Sequence, residues 1–396
     1  MKKRLLAVLV AAVTAVSLLA CGGSTSASSD SAPAESAQTE EAGDAAAASD
    51  MKVAMVTDYG DITDQSFNQT TYEACKAFTE ANGIDFTYYK PEGDSTAERE
   101  AMIDKAVADG YNVLVLPGYA FAEAIVEGAE MYPDVKFVAL DVSEYDLCTA
   151  AGTDTYSQEN VYSAVYQEEI SGYMAGVAAV KMGYKKLGFL GGMAVPAVIR
   201  YGYGFVAGAN DAAKELGLTD VTINYAYGNQ FYGDADITAA MDTWYKGGTE
   251  VVFACGGGIY TSAAEAAGKE GGKFIGVDVD QKALVDGQYG EGMTITSAMK
   301  GLGATVNTLL TAIKDGKWDE YKGQIQSLGM VSGDDPTLNY VQLPMESTVW
   351  NDGFTQDDYK ALVKSLADGS VKVTVDASAA EPTADTVAVT FLGNIK

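Results

Sequence analysis

From Lys52 onward the chain alternates short runs, apolar at nearly every position, with longer stretches whose apolar residues recur every three or four places. VLVLP (113–117) and VVFAC (251–255) carry no charged side chain, the composition of strands covered on both faces of a parallel sheet. The strand-like runs are KVAMVTD, DFTYYKP, YNVLVLPG and VKFVALD in the first half, then KKLGFLGG, VTINYAYGN, EVVFACGGG and KFIGVDVD. Amphipathic stretches separate them. STAEREAMIDKAVADG (95–110) opens with Ser95 and Glu98 in capping-box spacing and closes at Gly110. Repeated strand–helix units predict a doubly wound α/β sheet, and two series of them predict two parallel-sheet lobes joined by a hinge. The turn-rich YDLCTAAGTDTYSQEN puts the break near 150, and the chain is expected to recross around MTITSAMK and GLGATVNTLLTAIKDG. The expected lobes are 51–150 plus about 283–320, and about 151–282 plus 321–396. VKVTVD and VAVTFLG in the tail, both strand-like, would finish the second lobe.

The N-terminus has a different pattern. Lys2, Lys3 and Arg4 precede an apolar run over residues 5–20, which ends in Leu18-Leu19-Ala20-Cys21-Gly22. This looks like a bacterial lipoprotein signal over residues 1–20, with cleavage before Cys21 and acylation of its thiol. An ordinary secretory signal with a chance cysteine is the alternative. Residues 21–50 that follow contain no large apolar side chain, so a disordered tether is expected. No later run reaches the roughly 20 apolar residues of a membrane span. The expected location is the extracytoplasmic face of the cell membrane, held by lipid.

Composition narrows the chemistry. The formal charge of −29 argues against nucleic acid as a partner and disfavours polyanionic ligands. The chain has no His, which removes imidazole acid–base catalysis and most zinc sites. Cys75, Cys148 and Cys255 show no CxxC spacing, so free thiols are expected and a disulfide framework is not.

Ligands of open α/β sheets bind beyond the carboxyl ends of strands. Asp58, Asp141, Gly256, Gly257, Gly258, Asp278 and Lys300 all fall there, and Ser66-Phe67-Asn68 opens the first helix. Polar groups at facing strand ends of two lobes predict a hinged binding cleft. Gly202-Tyr-Gly204-Phe-Val-Ala207 fits GxGxxA formally but lies inside a helical pattern, and Gly256–Gly258 lacks the Lys-Ser/Thr of a phosphate loop. Both read as glycines of close approach, and no cofactor or metal is expected. The rival class is a nucleoside hydrolase using Asp58, Asp61 and Asp64 around calcium. The signal, the tether and the lobed order favour a non-enzymatic receptor.

VTDxGxxxDxSFNQ (56–69), SGYMAGVAA (171–179), GG-x3-P (191–196) before Gly204-Phe205, GVDVDQ (276–281) and TSAMK (296–300) occur in that order. Together they resemble the basic membrane protein family of substrate-binding lipoproteins, the purine nucleoside receptor-like proteins. The resemblance implies a type I periplasmic-binding-protein fold that captures a nucleoside for an ABC importer, and a monomer is expected. It implies Phe67 as a stacking ring, Asn68 as the amide reaching the base, and Asp58 and Asp141 as strand-end acids. Gly258 would lie against the ligand, and Asp278 with Lys300 would hold the ribose. Stacking on an aromatic contributes roughly 1–3 kcal/mol per base. Asp278 and Lys300 could also compensate each other's burial. Phe231 and Tyr201 compete for the second stacking position, with Phe231 preferred, and Asp280 is assigned a cap or hinge contact. A sugar or other ring-bearing solute is the alternative ligand, and feeding a membrane signalling protein the alternative role.

Overall fold

A computed structural model describes residues 50–396; the expected signal, Cys21 and nearly all of the tether lie outside the described residues. Two sheets organise the chain. The first contains β1 (Lys52–Val56), β2 (Asp85–Tyr89), β3 (Val113–Pro117), β4 (Lys136–Leu140) and β5 (Val161–Tyr166). The second contains β6 (Lys186–Gly191), β7 (Thr222–Tyr227), β8 (Val251–Cys255), β9 (Lys273–Asp278) and β10 (Thr294–Lys300). Three late strands divide between them: β11 (Ile325–Leu328) joins the first sheet, while β12 (Val341–Gln342) and β13 (Ala388–Asn394) join the second. Strand order is β11-β5-β4-β3-β1-β2 in one and β12-β10-β9-β8-β6-β7-β13 in the other. All pairings are parallel except β10 with β12. The all-apolar runs at β3 and β8 are buried at every position, as strands covered on both faces must be.

The lobe boundaries differ from the expected ones. Residues 145–160 are not a linker: Ser143 and Asp146 form a capping box that starts a helix, Glu144–Ala151, and β5 then pairs with β4. The first crossing therefore follows Tyr166. β10 belongs to the second sheet, and only the helix after it, Leu302–Lys314, returns to the first lobe, where Val306, Leu309 and Leu310 join its core. In the tail VAVTFLG forms β13, but VKVTVD is not a strand; Val371, Val373 and Val375 pack on the second core from an irregular segment.

The helices Glu168–Lys181 and Pro196–Leu216 pack with their backbones nearly touching, which the glycines of SGYMAG and YGYG permit. A Cβ on Gly172 would lie 2.1 Å from the Tyr201 carbonyl oxygen, and one on Gly208 2.0 Å from that of Tyr173. Backbone cannot yield as a flexible side chain can. Gly208→Ala is thus expected to lower stability by about 1–3 kcal/mol in a urea melt. Gly303→Ala, whose added methyl meets nothing nearer than 3.8 Å, should be neutral or slightly stabilising through helix propensity. Equal melts for the two variants would contradict the close packing.

A candidate ligand cleft between the two sheets

All nine residues expected at a binding site line one cavity of about 550 Å³ between the sheets: Asp58, Phe67, Asn68, Asp141, Tyr201, Phe231, Gly258, Asp278 and Lys300. Tyr59 and Tyr119, not singled out in the sequence, line it too, as do Asp61 and Asp64 of the acid cluster after the first strand.

The helix Phe67–Asn82 begins in an unusual way. Ser66 occupies its N-cap but caps nothing, because its hydroxyl donates instead to Asp278 Oδ2 across the cleft at 2.5 Å. Asp64 does the capping. Its carboxylate accepts the backbone N–H groups of Ser66 (2.9 Å), Asn68 (3.0 Å) and Gln69 (3.0 Å). With the orphan donors satisfied from outside the helix, Phe67 and Asn68 are free to face the cavity. Asp64 is therefore a structural acid, and among the described residues no cluster of three or more acidic or thiol ligands could hold a metal ion.

At the far ends of β4 and β9, Asp141 and Asp278 take left-handed backbone conformations, with φ of 62° and 63°. Gln65 and Asn229 complete the non-glycine residues of positive φ among those described, and all four lie at or beside the cleft. Non-glycine residues are rare in that region and concentrate where structure serves function.

Lys300, at the end of β10, is almost wholly buried. Its ammonium lies 2.6 Å from Asp141 and 3.0 Å from Glu168, and 5.0 Å from the centroid of the Phe67 ring. Glu168 is fully buried and also accepts from Arg200 Nε at 2.6 Å. Asp278 and Lys300 still favour each other's charged forms, as expected, but the direct ion pairs of Lys300 go to other acids. Lys300 is compensated by Asp141 and Glu168, while Asp278 accepts from Ser66 and, at 3.4 Å, from Tyr201. Burial pushes Asp141 up to about 6 despite Lys300. Burial also acts on Glu168, but Lys300 and Arg200 outweigh it and hold that carboxyl below its usual range. Asp58, half-buried at the cleft wall, is pushed up to about 6 as well, because lost solvation outweighs the relief from the Gly60 N–H. Asp278 is raised by burial too.

These shifts set a pH dependence. Asp58 and Asp141 bind protons near pH 6 when folded but only near 3.8 when unfolded. Between those values the folded state holds more protons, so stability rises as pH falls. The chain has no His to titrate in the same window. The lowered acids Asp234 and Asp385, near 2, are ionised in both states there and add no slope. The ligand-free protein is expected to melt several degrees higher at pH 5 than at pH 7.5. A melting temperature falling over that interval would contradict the burial of these acids.

The two candidates for the second ring both line the cavity but differ in position. Tyr201 is 2 % exposed and sits edge-on to Phe253 in the second core, its hydroxyl turned to Asp278. Phe231 is half-buried and rests on two glycines: a Cβ on Gly192 would lie 2.4 Å from its ring, and one on Gly256 2.9 Å. The close-approach reading of Gly256 holds there, and that of Gly202 against the Tyr225 hydroxyl. Phe67 from one lobe and Phe231 from the other bound the same cavity. Gly258 contributes backbone beside Phe231, though its carbonyl already accepts from Thr261. Asp280 caps the helix Lys282–Tyr289 through the Lys282 N–H. Cys75, Cys148 and Cys255 are unpaired.

Two wound sheets, three crossings and a polar cleft at facing strand ends define the type I fold of periplasmic solute-binding proteins. A solute-binding protein of an ABC transporter system from Aeropyrum pernix K1 shares this fold, with a TM-score of 0.62 at 21% identity, covering 81% of this chain and 87% of that one. The pattern of the Bmp family, described as ABC transporter substrate-binding protein PnrA-like, matches residues 51–332, and the chain belongs to that family. It is 30% identical over 335 residues to the ABC transporter nucleoside-binding protein BmpA of Lactococcus lactis subsp. cremoris (strain MG1363), covering 80% of this chain and 87% of that protein. It is 28% identical over 333 residues to the CD4+ T-cell-stimulating antigen of Listeria innocua serovar 6a (strain ATCC BAA-680 / CLIP 11262), covering 80% and 85%.

Proposed function

We propose that the cleft captures a purine nucleoside, and that the protein, tethered to the outer face of the membrane through a lipid on Cys21, delivers it to an ABC permease without catalysing any reaction. The observation that carries this reading is the pair of rings, Phe67 and Phe231, on opposite lobes of one cavity whose floor holds buried strand-end acids and a lysine. A flat heterocycle between two rings presents both π faces to aromatic partners. The vicinal hydroxyls of a ribose are matched by Asp278 as acceptor and Lys300 as donor. The Lactococcus relative is named as nucleoside-binding, which supports a nucleoside as the ligand.

The test is calorimetric titration of the unfolded and refolded protein, freed of carried-over ligand, with adenosine, guanosine, inosine, uridine and ribose. Binding of at least one purine nucleoside far more tightly than ribose supports the reading. Equal binding of ribose and the nucleosides would move the site to the sugars.

A further inference from the structure

The loop that carries Phe231 runs from Tyr227, the last residue of β7, to Asp234, the N-cap of the helix Ala235–Lys246. On one side β6 holds it: the N–H groups of Gly228 and Asn229 donate to the carbonyls of Gly191 and Gly192 at 2.8 and 2.9 Å. On the other side stands β13, which lies beyond the residues 51–332 matched by the family pattern. Its pairing with β7 runs from Ala388 beside Thr222 to Phe391 beside Tyr225. One extra residue then bulges out, with Gly393 at φ 69°, and pairing resumes at Asn394 beside Tyr227. The bulge keeps the chain against β7 to its end, where the Ile395 N–H donates to the Tyr227 carbonyl at 2.8 Å. At the far end of the loop the Lys396 ammonium pairs with Asp234 Oδ2 and lies 3.5 Å from Asp236. That same Oδ2 accepts from the Gln230 amide at 2.8 Å, and Gln230 is the chain neighbour of Phe231. Two adjacent residues, Ile395 and Lys396, thus reach both ends of the loop.

Resting on the nucleoside reading above, we infer that residues 388–396 hold the second stacking ring in place, with Ile395 and Lys396 as positioning residues that set nucleoside affinity without touching the ligand. Neither of the two lines the cavity.

The need for such a hold follows from how Phe231 is seated. Its ring is half-buried and stands on Gly192 and Gly256, which have no side chains to fence it in. Its pose is therefore set by the backbone that carries it. Ordering a loop at the moment of binding subtracts from affinity, and a loop already fixed avoids that loss. Phe391 adds packing at the root of the loop, its ring centroid 5.7 Å from that of Tyr225 and 6.4 Å from that of Tyr227. The Ile395 side chain rests on the core that contains Ile237 and Ile259. Asp278 and Lys300 end β9 and β10, which β8 and β6 separate from β7, so the ribose end lies away from this hold.

The experiment compares the unaltered protein with Ile395→Pro/Lys396→Ala, Lys396→Ala and Lys396→Arg, by titration with guanosine, inosine and adenosine and by hydrogen exchange without ligand. Proline removes the N–H that meets Tyr227. Expected is a loss of nucleoside affinity of ~5-fold or more in the double variant and about 2-fold in Lys396→Ala, recovered in Lys396→Arg. In a Phe231→Ala background the double change is expected to cost nothing further, an outcome that general destabilisation would not give. Without ligand, the amides of residues 228–234 are expected to exchange faster in the double variant while those of β6 and β8 do not. Unchanged nucleoside affinity in the double variant would overturn the positioning role, and so would an equal loss in the Phe231→Ala background. Failure of all three nucleosides to bind the unaltered protein would overturn the proposed function; exchange would then decide the hold on the loop, unchanged rates overturning it. If the double variant does not fold, Lys396→Ala decides: a loss that Lys396→Arg recovers supports the role, and no loss overturns it.

Discussion

Lys300→Met is expected to cost about 3–5 kcal/mol of folding stability, enough to unfold an ordinary domain at growth temperature. The side chain is 2 % exposed and stands between Asp141 and Glu168, themselves 10 % and 0 % exposed, with Asp278 in the same pocket. Those neighbours raise the lysine's proton affinity despite its burial. Removing the cation leaves three buried acids facing only Arg200, which already serves Glu168. Methionine fills much the same volume, so the loss would come from charge and not from a cavity. Two outcomes separate the causes in urea melts. Adding Asp141→Asn should recover part of the loss, and lowering the pH toward 5 should recover more in Lys300→Met than in the unaltered protein. A cost unchanged by both would locate the damage in packing.

Phe231→Ala is expected to weaken nucleoside binding about 5- to 150-fold, the equivalent of the roughly 1–3 kcal/mol a stacked base contributes. Folding stability should change far less, because the ring is half-exposed and stands on Gly192 and Gly256 at the edge of the second core. Tyr201→Phe provides the comparison. It keeps the buried ring against Phe253 and removes only the hydroxyl that reaches Asp278 at 3.4 Å. Its effect should be the smaller one, carried by the ribose end. A Tyr201→Phe loss exceeding that of Phe231→Ala would reverse the assignment of the second ring.

Much of this architecture was legible because parallel strands advertise themselves. VLVLP and VVFAC permit no reading but burial on both faces, and the polar residues closing such runs fall at the cleft by the logic of the sheet. β5 and β11 escaped notice for the opposite reason. VYSAVY and IQSL mix Tyr, Ser and Gln into the strand, and neither presents a continuous apolar run. Missing β5 moved the lobe boundary and hid Glu168, which follows it and completes the charge cluster with Lys300 and Arg200. In the sequence Glu168 is one of two adjacent acids at a helix start, where acids are ordinarily solvated and favoured by the helix dipole. Asp64 was legible only as one acid among several. Its capping of three N–H groups depends on the backbone of residues 64–69 and on Ser66 being drawn across to Asp278. The left-handed conformations of Asp141 and Asp278 carry no sequence mark, since glycine would be the usual choice at such φ.

The most direct measurement is a crystal structure of the protein grown with guanosine. The expected result is a base lying between Phe67 and Phe231, its edge within reach of Asn68, and its ribose hydroxyls at Asp278 and Lys300. A nucleoside bound outside this cavity, or one whose base misses both rings, would contradict the assignment of the cleft.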